Sequence, residues 1–185
     1  MKEDDLNRIK EISKYSIIIN NENTNILNEN ELYNLLIQKG TLTTEEREII
    51  NNHVIVTYDM LKKLSFPKKL NRVPIIAASH HKTIYTNEDG SHGGYGAKEI
   101  MHEPMSLEDK ILAVADVFEA VTASDRPYKR ANSLNQSLNI MAKMVKSNEL
   151  DRDLVKFFIE NKIYEEYSKN NLLEEQLDKV DIFIE

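Results

Sequence analysis

A chain of 185 residues with a net charge of −7 has no basic surface with which to grip a nucleic-acid backbone. The absence of cysteine excludes disulfides and thiolate metal sites, so a reducing, cytoplasmic setting is the expectation. With 41% hydrophobic and 30% charged residues the chain reads as one globular domain, and no apolar run reaches the roughly 18 residues of a membrane span.

Leu6, Ile9 and Ile12, with Ile17 beyond them, recur at helical spacing and predict a first amphipathic helix. The polar stretch "NNENTNILNEN" follows as loop, and "ELYNLLIQ" predicts a short helix stopped by Gly40. The clearest helix is "TLTTEEREIINNHVIVTYDMLKKL", opened by Thr43 with Glu46 three residues on, as in a capping box. Its apolar stripe runs through Ile49, Ile50, His53, Val56, Met60 and Leu64. Pro67 and Pro74 frame a link to "VPIIAASHH", and residues 83–105 read as loop. Ser106 opens "LEDKILAVADVFEAVTA", Ser133 with Gln136 opens "LNQSLNIMAKMV", and Asp151 opens "RDLVKFFIEN". A last helix is predicted over "LLEEQLDKVDIF". The fold class expected is therefore all-α, a bundle of about six to eight helices with no substantial sheet.

Asp116 stands in "ILAVADVFEAV", which is apolar on nearly every side, so its carboxylate is expected to be buried against a cation, a metal or several donors. A structural ion pair or a helix cap answers the same need. His53 lies in the apolar stripe of its helix, where a core histidine is the common finding. The pair His80 and His81 is less usual. Neighbouring helical side chains point about 100° apart, yet two such histidines can serve metals held roughly 3.5–4 Å apart for attack of water on a phosphoester. His92 and His102 read as solvated loop residues. Without thiolates, a His/Asp site suits Fe, Mn, Zn, Ni or Co. Arg126, Lys129 and Arg130 in "DRPYKR" form a small basic cluster, fit either for a phosphate or for surface ion pairs.

Taken together, "GTLTTEEREIINNH", "HH", "DG" with "GGYG", and "VADVFEAVTASDRPYK" resemble the HD-GYP family of helical HD-superfamily hydrolases. The resemblance covers about residues 31–145 and extends to the C-terminal helices 146–185. It implies hydrolysis of the cyclic dinucleotide cyclic di-GMP to pGpG and GMP, with divalent metal ions as cofactors. It implies metal ligation by His53, His80, His81 and Asp116, with no further catalytic residue identified. It also implies phosphate contacts from Arg126 and Lys129, and a signature loop at Gly94 and Tyr95 that borders the substrate and can meet diguanylate cyclase domains.

The sequence departs from the family pattern in two places. No His-Asp dipeptide occurs, so the part of the domain carrying that pair is expected to lie before Met1 and a two-metal site to be short of ligands. Against the pattern HHE-x-x-DG-x-GYP, Lys82 stands for the glutamate, the spacing before "DG" is longer, and "GGYG" replaces "GYP". A lysine turned toward the histidines would oppose metal binding, and one turned outward would not. The expectation is a phosphodiesterase that is incomplete or weak as this chain. The alternative is a non-catalytic module binding cyclic di-GMP or a partner protein.

Overall fold

Side-chain oxygens placed just ahead of helical runs set where five of the described helices begin. The computed structural model describes residues 2–38, 40–124, 131–182 and 184. The chain divides into two compact units, Met1–Asn51 and Asn52–Glu185.

In the first unit, α1 (Glu3–Ile12) carries three acidic residues in its first turn, where they complement the helix dipole, and buries Leu6. Ile17 does not extend this helix. It lies in β1 (Ser16–Ile19), which pairs antiparallel with β2 (Glu22–Asn25). Asn20 and Asn21 connect the strands with φ of 52° and 65°. Asparagine tolerates this left-handed region, which a two-residue hairpin turn demands at both central positions. The Asn-rich stretch read as loop is thus partly a hairpin. α2 (Glu29–Leu35) starts at an Asn28–Glu31 capping box and stops five residues before Gly40. α3 (Thr44–Asn51) opens with the predicted box: Glu46 N donates to Thr43 Oγ1 at 3.1 Å and Thr43 N to Glu46 Oε2 at 2.8 Å.

The long helix foreseen across both units is two segments, the second being α4 (His53–Leu61). Its predicted inward stripe is reversed: Val56 and Met60 are exposed, while Val54 is wholly buried and packs with Ala78, Ala97 and Ile100. α5 (Val73–Ala78) begins with Pro74 in its first turn, where a missing N–H costs nothing. The region read as loop contains β3 (Lys82–Thr86) and β4 (His92–Gly94), an antiparallel pair, then α6 (Lys98–Met101).

α7 (Leu107–Thr122) and α8 (Leu134–Lys146) open at the expected Ser106 and Ser133, and α9 (Arg152–Glu160) at Asp151. Ala113, Val114 and Phe118 of α7 meet Leu138 and Met141 of α8 and Val155 and Ile159 of α9 in one core. α10 (Tyr164–Asn171), not foreseen, adds Tyr164 to that core, and Phe118 packs edge-on against Phe158 and Tyr167. Among the described residues the class is all-α, with two small two-stranded sheets.

The helix expected at the C-terminus is a single 3-10 turn, Glu174–Gln176. Gln176 explains the departure. Only 2% exposed, it donates through Nε2 to Thr122 O at 2.8 Å and Asn132 O at 3.0 Å, tying the chain to the end of α7 rather than to its own helix. Gln176→Leu removes the amide that donates to both carbonyls and is expected to lower stability by on the order of 2 kcal/mol, whereas Leu177→Ala at an exposed site stays within about 0.5 kcal/mol. Urea unfolding monitored by circular dichroism measures both.

Candidate metal centre

His53 is the first residue of α4, and His80 and His81 occupy the turn between α5 and β3. Ser79, ahead of them, is completely buried, so the turn is fixed at its root. Each of the three histidines offers one ring nitrogen, and these nitrogens all lie within 4.8 Å of one another. His53 Nε2 and His80 Nε2 face each other at 3.4 Å. The other nitrogen of His80, Nδ1, is 2.5 Å from the Ala77 carbonyl. A carbonyl only accepts, so Nδ1 carries the proton, and in the neutral ring Nε2 presents its lone pair to the cluster. This is the orientation that metal-binding histidines commonly adopt.

Asp116 approaches from α7, its Oδ2 3.8 Å from His81 Nδ1. Its carboxylate is not buried as expected from the apolar helix. With 36% of the side chain exposed, it sits at the edge of the face that α7 turns to the histidines. His53 is likewise exposed rather than a core residue. Burial and the neighbouring His80 push the His81 imidazole down to about 4, against the opposing pull of Asp116. His81 is therefore uncharged near neutral pH, as a ligand must be.

Tyr95 stacks on His81 with ring centroids 4.3 Å apart and lies edge-on to His53 at 6.3 Å. Burial, and then Asp116, raises its phenol above the ordinary value, which keeps it protonated. Gly94 has φ of +90°, and a Cβ there would lie 1.9 Å from the His81 carbonyl oxygen. Glycine at 94 thus answers a close approach of two backbones, not a need for a flexible loop. Lys82 follows neither course open to it in the sequence. It is buried, and its Nζ donates to the carbonyls of Ile100 and Glu103. Burial lowers its pKa, opposed by Asp109 and Glu103.

Of the expected site, then, His53, His80, His81, Asp116, Tyr95 and the Gly94 backbone stand together. Arg126 and Lys129 lie outside the described residues. His92 is not a solvated loop residue: it is half-buried on β4, its Nδ1 2.8 Å from the Thr83 carbonyl. His102 follows α6 as its exposed C-cap. The buried role of Lys82 and its partner Asp109 left no mark that periodicity could reveal.

The donors fit a divalent ion: three imidazole nitrogens, one turned lone-pair inward by a backbone carbonyl, with a carboxylate at the rim. Residues 29–154 match the model of the family described as HD domain. The chain is 34% identical over 104 residues to "Cyclic di-GMP phosphodiesterase response regulator RpfG" of Xanthomonas campestris, covering 56% of this chain and 25% of that protein. It is 35% identical over 85 residues to "3'3'-cGAMP-specific phosphodiesterase 1" of Vibrio cholerae, covering 46% and 18%. It is 34% identical over 103 residues to "Cyclic di-GMP phosphodiesterase" of Thermotoga maritima, covering 56% and 26%. The matched part of the chain thus spans about a quarter or less of each relative's length.

Two outcomes are expected. Gly94→Ala forces a methyl group into the His81 carbonyl and should cost about 1–3 kcal/mol in urea unfolding, with loss of metal uptake. For His81, the folded-state value of about 4 lies below its ordinary 6.5. The unfolded chain then binds more protons between those values, so stability without metal falls as pH drops from 6.5 toward 4. His81→Gln should flatten that part of the stability–pH curve.

Proposed function

Because the chain belongs to the HD domain family, we propose that it is a metal-dependent phosphodiesterase acting on a cyclic dinucleotide, cyclic di-GMP foremost, and yielding pGpG and GMP. The observation that carries this reading is the convergence of the His53, His80 and His81 ring nitrogens within 4.8 Å of one another. His53, His80, His81 and Asp116 would hold the ion, with Fe, Mn, Zn, Ni and Co all compatible with the donors. A divalent ion there supplies a Lewis acid for a phosphoryl oxygen and activates water for attack on phosphorus.

The residues of this chain supply orientation. His80, fixed through Ala77, sets the direction of one donor, and Tyr95 holds the His81 ring by stacking on its face. The protonated Tyr95 phenol, together with the backbone at Gly94, borders the place where a substrate would lie. Arg126 and Lys129 are assigned to the substrate phosphates, a cationic pair matched to a phosphodiester in an otherwise acidic chain. The loop at Gly94 and Tyr95 is the surface assigned to diguanylate cyclase partners. Among the described residues no helix is long and apolar enough to cross a membrane.

A second reading is favoured by the size of the donor set. Among the described residues, three imidazoles and one carboxylate suffice for one ion and fall short of two sharing bridging ligands, so the chain by itself would bind a cyclic dinucleotide and cleave it slowly or not at all.

Metal analysis combined with turnover separates these readings. After loading with Mn2+ or Fe2+ and dialysis, stoichiometric metal is expected in the wild-type chain and none in the His80→Ala, His81→Ala double variant. Linear pGpG from cyclic di-GMP, abolished by a chelator, identifies the phosphodiesterase. Binding by calorimetry without product identifies the binding module. Absence of metal from the wild-type chain overturns the first reading.

A further inference from the structure

Directly after the two histidines, Lys82 carries its ammonium into a place where only 2% of the residue is exposed. A cation taken out of water needs several interactions in return. Nζ donates to the carbonyls of Ile100, in α6, and Glu103, just past its end. The Ile100 carbonyl also accepts from Glu103 N at 3.1 Å, so the ammonium joins the turn that closes α6 as a further donor. The third neighbour is Asp109 of α7, within electrostatic reach of Nζ and itself 1% exposed. Its Oδ2 accepts from Ser106 N at 2.7 Å and stands 3.9 Å from the Arg72 guanidinium. Its Oδ1 has no hydrogen-bond partner among the described residues.

The spacing along α7 gives this charge pair a consequence. Asp109 and Asp116 are seven residues apart, which puts them on one face of the helix about 10 Å from each other. His81 and Lys82 are adjacent where the turn passes into β3, and in extended chain successive side chains point to opposite sides. One of them meets Asp116 and the other faces Asp109. The segment is thus braced against α7 at two points two helical turns apart.

We propose that Lys82 is the positioning residue of the histidine cluster. Held by the Ile100 and Glu103 carbonyls, with the Asp109 carboxylate within electrostatic reach, it fixes where the His80–His81 turn stands and so brings His81 to Asp116. Its effect on metal affinity rests on the metal-dependent reading above, while its effect on the place of His81 stands on the contacts alone. Lysine in this position is then a brace for the ligands, with its charge spent on α6 and α7.

The test uses the full chain with Co2+ as probe and compares wild type with Lys82→Met and Asp109→Asn. Asn keeps the oxygen that accepts from Ser106 N and removes the charge. Both variants are expected to weaken Co2+ binding about 10–100-fold and to alter the visible spectrum of the bound ion. In the metal-free chain, the imidazole NMR signals of His81 should move in both, with the far-ultraviolet circular dichroism unchanged. Wild-type Co2+ affinity, spectrum and His81 signals in the two variants overturn the proposal, even if the melting temperature falls. If the wild-type chain takes up no Co2+, the metal-dependent reading fails separately and the His81 signals decide: displacement supports the brace, and coincidence with wild type rejects it. Should Lys82→Met not fold, Asp109→Asn gives the same decision from the opposite side of the pair.

Discussion

The backbones at His81 and Gly94 come together so closely that no side chain fits between them, and the histidine cluster is arranged around that approach. Lys82 pairs with Gly94 across the β3–β4 ladder, which holds the hairpin against the turn carrying the histidines. Tyr95, one residue on, is thereby delivered to the face of the His81 ring. A glycine with left-handed φ, a stacked phenol and a buried ammonium are consequences of one short stretch of chain returning over another. All three lie within two residues of the ring that faces Asp116 or in contact with it.

The charges around the cluster suit this geometry. His81 is held neutral by burial and by its neighbour His80, while Tyr95 is held protonated by burial and by Asp116. Among the described residues the Asp116 carboxylate is the acidic group set against the ring, which a divalent ion would complement. The Lys82 cation is kept on the other side, against α6 and α7, so a positive charge adjacent in sequence does not become one adjacent in space.

Helix starts were legible because they depend on local chemistry. Thr43 with Glu46, Ser106, Ser133 with Gln136, and Asp151 each satisfy N–H groups within three residues of themselves. The candidate ligands are legible as residue types at particular places, and the resemblance to HD-GYP sequences groups His53, His80, His81 and Asp116. What escaped depends on partners distant in the chain. Val54 faces inward and Val56 outward because Ala78 and Ile100 pack against one side of α4, and an apolar stripe does not say which side will be covered. The Asn20–Asn21 turn reads as a polar stretch until its two left-handed residues are recognised as a hairpin. Gln176 sits in a sequence with good helical periodicity, yet two carbonyls more than forty residues away outbid a local helix.

That last contact also bears on the order in which the protein can be completed. Thr122 and Asn132 bracket the basic stretch, and the amide that bridges them comes from residue 176, which leaves a ribosome after α7, α8 and α9. During synthesis α7, α8 and α9 can assemble their apolar core while that amide is still unavailable. The fastening at the end of α7 therefore follows the assembly of that core, and it joins residues 54 and 44 positions apart. Cutting the chain ahead of Gln176 would undo this latch and also strip Val180 and Ile182 from the core against which they pack.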